Sequence, residues 1–141
     1  MLDLTTKFGR FAKKQLQRQH FLWLTTVDST GTPQPRPVWF IWEDDTILVF
    51  SQAKAFKLKH IRANPNVTLH FNSVDAKGES GVVIFSGKAK IDRKAAPAHQ
   101  TPTYLKKYKS GIKGLKATPA EFADEYSVAI RITLTNLRGW E

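Results

Sequence analysis

The chain has 141 residues, 41% of them hydrophobic, no cysteine and a formal net charge of +10. That length suits a single domain, residues 1–141, around one core. The missing cysteines exclude disulfides, thiolate metal sites and cysteine nucleophiles. No run approaches the roughly 18 apolar residues of a membrane span, and the first residues lack the pattern of a signal peptide. A soluble cytoplasmic protein with no membrane contact is expected, with an anionic partner favoured by the charge.

Leu4, Phe8, Phe11 and Leu16 recur at near-helical spacing, which predicts an amphipathic helix over about residues 3–19. His20 to Val27 is rich in aromatic and β-branched residues and reads as a strand. A turn at Asp28–Thr32 leads into Pro33–Glu43, where Pro33, Pro35 and Pro37 occupy alternate positions. Proline cannot donate to a ladder, so this first half is expected at an edge or a bulge. The second half, Val38-Trp39-Phe40-Ile41-Trp42, is apolar on both faces and is expected to be buried. Glu43-Asp44-Asp45 turns the chain into a third strand, Thr46 to Ser51, giving the appearance of a meander.

A basic segment then opens a short helix that closes at Asn64-Pro65. Asn66 to Asn72 alternates like a half-buried strand, residues 75–81 form a loop, and Val82–Ile91 is a long strand bent at Gly87. Residues 92–125 hold few β-branched residues and predict a helical insertion of one or two helices, broken near Gly111 to Gly114. Ser127 to Leu134 is the last strand, and residues 136–141 end the chain. The expected fold is mostly β: a six- to seven-stranded antiparallel split barrel with accessory helices.

The strand-to-helix junction carries the most chemistry. Ser51 and Gln52 end a strand, and Lys54, Lys57 and Lys59 follow around a helix start. Unpaired N–H groups and the partial positive charge of a helix start suit a phosphate. Lys57 and Lys59, two apart, converge only if the first lies in or before the first turn; solvated surface lysines are the plain alternative. A second constellation is Arg36-Pro37-Val38-Trp39-Phe40, where prolines free backbone groups for a ligand and aromatics offer a wall for a flat ring. The alternative is that Trp39, Phe40 and Trp42 are core. The four histidines have no metal-ligand spacing, and no acid, base or nucleophile stands out. Catalytic residues are therefore unassigned, and a bound cofactor would carry any reaction.

In their order and spacing, Gly31-Thr32-Pro33 with Pro37-Val38-Trp39-Phe40, Ser51-Gln52 with Lys57-Leu58-Lys59, and Asn64-Pro65-Asn66-Val67 resemble the pyridoxamine 5′-phosphate oxidase-like split barrels. The likeness is greatest to the branch of probable deazaflavin (coenzyme F420)-dependent enzymes, and it runs from Phe21 to Trp140. The resemblance implies a homodimer with two cofactor sites at the interface. It implies that Ser51, Lys57 and Lys59 hold the cofactor phosphate, with the backbone of Pro37, Val38 and Trp39 along the ring. Gln52 and Arg36 are further candidate cofactor-binding residues, Arg36 and Lys54 being next in line for the phosphate. It places Arg138 and Trp140 near the ring bound mainly by the partner chain. The activity implied is hydride transfer between F420 or FMN and a small organic redox substrate. In that chemistry no side chain need act as a proton donor; Tyr104 or a bound water is the open alternative. Lys106 to Lys116, a stretch free of acids, could cradle the acidic tail of F420 or be a solvated helix face. Two other readings stay open: a flavin-binding protein without turnover, and a basic nucleic-acid-binding barrel. Against the last, the aromatics sit in apolar runs rather than among basic residues.

Overall fold

The computed structural model describes residues 2–141. In chain order these form α1 (Lys7–Arg18), β1 (Leu22–Val27), β2 (Pro33–Val38), β3 (Ile41–Glu43), β4 (Thr46–Ser51), α2 (Phe56–Ala63), β5 (Asn66–His70) and β6 (Val82–Ile91). A 3₁₀ turn at Ala98–Gln100, α3 (Pro102–Gly114), α4 (Pro119–Glu125) and β7 (Val128–Trp140) follow. The strands make one antiparallel sheet in the order β2-β1-β5-β6-β7-β4-β3. Its two edges, β2 and β3, are consecutive in the chain and separated only by Trp39 and Phe40. Three Cα steps, from Val38 to Ile41, reach at most about 11 Å. The sheet therefore curls until its edges approach, which is the split-barrel architecture the strand pattern predicted. No helix among the described residues is long and apolar enough to cross a membrane.

The expected single strand over Pro33–Glu43 is two strands at opposite edges, and the meander is wrong. Instead β1 pairs β5, with Leu24 opposite Leu69, and β4 pairs β7, with Phe50 opposite Ala129. The reason lies at Phe40 and Ile41, consecutive residues that are both buried but in different cores. One core fills the barrel with Leu22, Leu24, Phe40, Ile47, Val49, Leu69, Phe85, Ile130 and Ile132, and α1 closes one side with Ala12 and Leu16. The other lies outside the sheet, where Ile41, Leu48, Phe50 and Ala129 meet Tyr104, Tyr108 and Ile112 of α3 and Phe122 of α4. Alternate residues of β4 serve the two cores, so Ile47 to Ser51 is buried throughout. Each fully buried Leu, Ile or Phe contributes roughly 1.5–3 kcal/mol.

Two boundaries differ from the sequence reading. The first helix begins at Lys7 rather than near residue 3, because the Thr6 hydroxyl caps it by accepting from Gly9 N at 2.9 Å. The last strand runs on through Asn136 to Trp140, where local propensity is poor, because the whole of β6 lies alongside to pair with it. A register shift at Ser86/Gly87 places a bulge at the glycine expected to bend β6. In the insertion, α3 continues through Gly111 and ends at Gly114, within the expected break. A Cβ at Gly111 would lie 2.8 Å from the Trp39 ring, so here glycine permits close packing rather than ending a helix.

Candidate functional site

Where the end of β2, the end of β4 and the start of α2 converge, the insertion helices cover a cavity of about 320 Å³. Pro37, Val38 and Trp39 come from the first edge, Phe50, Ser51 and Gln52 from β4, and Ala55 and Lys57 from the helix start. Tyr104, Leu115, Phe122 and Tyr126 close it from above. Six of the ten expected binding residues thus meet around one space: Pro37, Val38, Trp39, Ser51, Gln52 and Lys57. Its walls are flat. Trp39 lies 5.7 Å from Phe122 with 19° between planes, and Phe122 lies 4.6 Å from Tyr126 at 20°. Behind Trp39, Tyr108 stacks at 4.6 Å and 5°.

One end of this cavity is cationic. Lys57 is the second residue of α2 and is half-buried. Burial first, and then the neighbouring Arg36 guanidinium, hold its ammonium below the ordinary lysine range. No carboxylate pairs with Lys57 among the described residues. Ala55, at the N-cap of the same helix, supplies no side-chain cap, so the first-turn N–H groups have no hydroxyl or carboxylate to satisfy them. A desolvated cation, a second cation and an uncapped helix start form a place for an anion.

The edge strand β2 adds acceptors. It pairs with β1 alone, and only Gln34, Arg36 and Val38 have N–H groups to give that ladder. Prolines therefore occupy the positions whose N–H would point outward, and the free edge offers carbonyls without donors. Arg36 itself is exposed and donates from Nη1 to Pro35 O at 2.7 Å. The buried Ser51 hydroxyl donates to Gln52 O at 3.0 Å, and Gln52 Nε2 donates to Glu125 Oε1 at 2.9 Å, tying β4 to α4.

Lys59 does not line the cavity. Two positions along a helix is about 200° of rotation, so with Lys57 turned inward Lys59 is exposed. Arg138 and Trp140 lie on the far half of β7, opposite Ile84 and Val82, away from the cavity of their own chain. Trp140 is 66% exposed. In the lysine-rich stretch, Lys106, Lys109 and Lys113 share the exposed face of α3, whereas Lys107 turns inward. Its ammonium donates to Phe40 O at 2.9 Å and sits 3.7 Å from the centre of the Phe40 ring. Burial lowers its pKa to about 8. Beside it, the Tyr108 hydroxyl donates within reach of His20 O at 2.6 Å and Phe40 O at 2.9 Å and accepts from Phe40 N at 2.8 Å.

Sequence reasoning missed Phe50, Leu115, Phe122 and Tyr126 as lining residues. The readable signals were Tyr104, Tyr108 and Ile112, and Phe122 with Tyr126, at intervals of four residues: apolar helix faces that needed a surface to cover. Among the described residues no group of three or more His, Asp or Glu side chains is placed to hold a metal ion.

The family model described as pyridoxamine 5′-phosphate oxidase matches residues 9–141. No curated protein matches the chain. Among solved structures, one described as an F420 reductase is 27% identical, covering 89% of this chain and 94% of its own, with a TM-score of 0.68. A conserved hypothetical protein from Mycobacterium tuberculosis is 20% identical over 100% of this chain and 88% of its own, with a TM-score of 0.75. The heme storage protein HutZ from Vibrio cholerae is 16% identical over 96% of each chain, with a TM-score of 0.63. The last two share the fold.

Proposed function

The chain belongs to the pyridoxamine 5′-phosphate oxidase family, and on that premise we propose that it is an oxidoreductase holding a flavin or deazaflavin, with F420 preferred to FMN. The observation that carries this reading is Lys57: a half-buried cation beside Arg36, at an uncapped helix start, with no carboxylate partner, opening into a flat aromatic cavity. The 27% identity to a structure described as an F420 reductase supports the choice of coenzyme. So does the net charge of +10, because F420 is the more acidic of the two ligands.

Bound in this cavity, the ring supplies hydride chemistry toward a small oxidised organic acceptor. The protein's own residues bind and orient. Lys57 and the first N–H groups of α2 neutralise the phosphate, and Arg36 adds charge from the β2 side. The carbonyl of Pro37 on the donor-free edge would be available to accept from an imide-type N–H of the bound group. Trp39 and Phe122, which line the cavity, would offer an apolar wall that excludes water from one face of the bound group. A second copy of the chain would bring Arg138 and the exposed Trp140 to the open side of the cavity, making the working unit a homodimer. The exposed lysines of α3 would meet the acidic tail of F420, each contact contributing about 0–1 kcal/mol and weakening with salt.

The test is direct titration of the purified protein with F420 and with FMN, followed by absorption and fluorescence, at low and at physiological salt. Micromolar or tighter binding of F420, with FMN weaker, is expected. Binding of neither ring at millimolar concentration overturns the proposal. Oxidation of bound reduced F420 by a panel of quinones and enones separates an enzyme from a carrier.

A further inference from the structure

Most polar groups around the cavity already have partners inside the protein. The Tyr108 hydroxyl is committed to Phe40 and His20, the Ser51 hydroxyl to Gln52 O and the Gln52 amide to Glu125. Tyr104 differs. Its side chain lines the cavity, the residue is 1% exposed, and its hydroxyl makes no hydrogen bond with any described residue. The oxygen is not among the fully buried unpartnered polar atoms, so a water or a ligand in the cavity can reach it. Nothing in the packing requires that oxygen.

The ring of Tyr104 is held on three sides. Phe50 meets it edge-on at 4.9 Å and 89°, Tyr108 lies 4.8 Å away, and Phe122 lies 6.0 Å away. The hydroxyl therefore has a fixed direction at low conformational cost. Burial, followed by the neighbouring Tyr108 and Tyr126 phenols, raises its pKa, so it keeps its proton at physiological pH and acts as a donor. Aromatic rings surround it, an environment that penalises a charged partner. The anionic part of any ligand belongs at Lys57. What suits Tyr104 is a neutral acceptor on a flat conjugated frame.

We propose that the Tyr104 hydroxyl is the specificity-determining donor for a carbonyl oxygen on the flat conjugated ring that the aromatic slot holds. This deepens the reading above, and that carbonyl has two possible sources: the tricyclic cofactor ring, or a quinone-type acceptor.

The experiment uses the full chain, equilibrium dialysis and three probes. Lumichrome is a bare tricyclic ring with no phosphate, menadione is a flat diketone, and 2-methylnaphthalene has menadione's carbon frame without carbonyls. Wild-type protein is expected to bind menadione or lumichrome at least about threefold more tightly than Tyr104→Phe does, the range of one neutral hydrogen bond. 2-Methylnaphthalene should bind both proteins equally. A loss with lumichrome assigns the contact to the cofactor, and a loss with menadione assigns it to the acceptor. Equal binding of both carbonyl probes by the two proteins overturns the proposal, as does a failure of wild-type protein to bind either. The variant removes an oxygen with no protein partner, so its melting temperature should match wild type. Should the variant not fold, wild-type preference for menadione over 2-methylnaphthalene decides alone: at least threefold supports the proposal, and no preference sinks it. Because lumichrome lacks a phosphate, this outcome is independent of whether Lys57 binds one.

Discussion

Lys57, at the start of α2, and Lys107, on the inner face of α3, are both drawn out of water with no carboxylate to meet them. Their surroundings differ. Lys107 has partners from its own chain: the Phe40 carbonyl, the face of the Phe40 ring and, at 5.3 Å, the Tyr108 ring. Lys57 faces another cation and open space. A desolvated lysine whose donors are met holds structure together; one whose donors are unmet is placed for something that arrives later. The first clamps α3 onto the β2–β3 crossover, which sets Trp39 as a wall of the cavity. The second waits at its cationic end.

The largest expected effect breaks the clamp. Tyr108→Ala removes a buried aromatic and leaves Phe40 N and His20 O without their hydroxyl partner. It should cost about 3–5 kcal/mol in chemical denaturation, and near-UV dichroism should report loss of the Trp39 stack. A melt unchanged from wild type would show that α3 docks by other means.

Next is Lys57→Ala. Affinity for F420 or FMN should fall at least about tenfold, since a charge-assisted hydrogen bond contributes about 1.5–3 kcal/mol. The ligand-free variant should melt no lower than wild type, because an unpaired cation beside Arg36 is lost. Unchanged affinity would move the anion site elsewhere.

A third effect sharpens the contrast through pH. The folded-state pKa of Lys107, about 8, lies below its ordinary 10.5. Between those values the unfolded chain holds a proton that the folded chain has released, so stability rises with pH. The cost is full below about pH 8 and is relieved as pH rises. Tyr104 and Tyr108, with raised pKa values, reverse the sign above about pH 10, where unfolded tyrosines ionise first. Denaturation midpoints should therefore climb from pH 8 to 10 in wild type, and Lys107→Met should flatten that climb. A flat wild-type profile would place Lys107 in water.

The smallest effect is that of Lys59→Ala. Lys59 is exposed on the opposite side of the helix from Lys57. Its loss should change cofactor affinity by no more than about 1 kcal/mol, and less at high salt. A tenfold loss would mean that a second subunit turns Lys59 into a site.

Much of the fold was legible because its signals are local. Thr46–Ser51 and Val82–Ile91 have the limits that their apolar runs predicted, and the alternate prolines of β2 mark an edge because proline has no N–H to share. The juxtaposition of Ser51, Gln52 and Lys57 at a helix start was legible for the same reason: strand, helix start and lysine lie within one short segment. The insertion was the least readable part. The break near Gly111 to Gly114 was readable, but not that the missing side chain of Gly111 makes room for Trp39, 72 positions earlier in the chain. Lys107 looked like its exposed neighbours because composition does not say which helix face turns inward.

The sequence by itself determined the family, the kind and order of most elements and the residues able to neutralise an anion, since each depends on local pattern or on motif order. Tertiary structure alone decided that Pro33–Glu43 splits across two edges, that Lys57 and not Lys59 faces the cavity, and that Tyr104 enters it with a free hydroxyl. Those outcomes depend on contacts between residues far apart in the chain, and a period of two or 3.6 residues carries no information about which distant surface will be there to meet them.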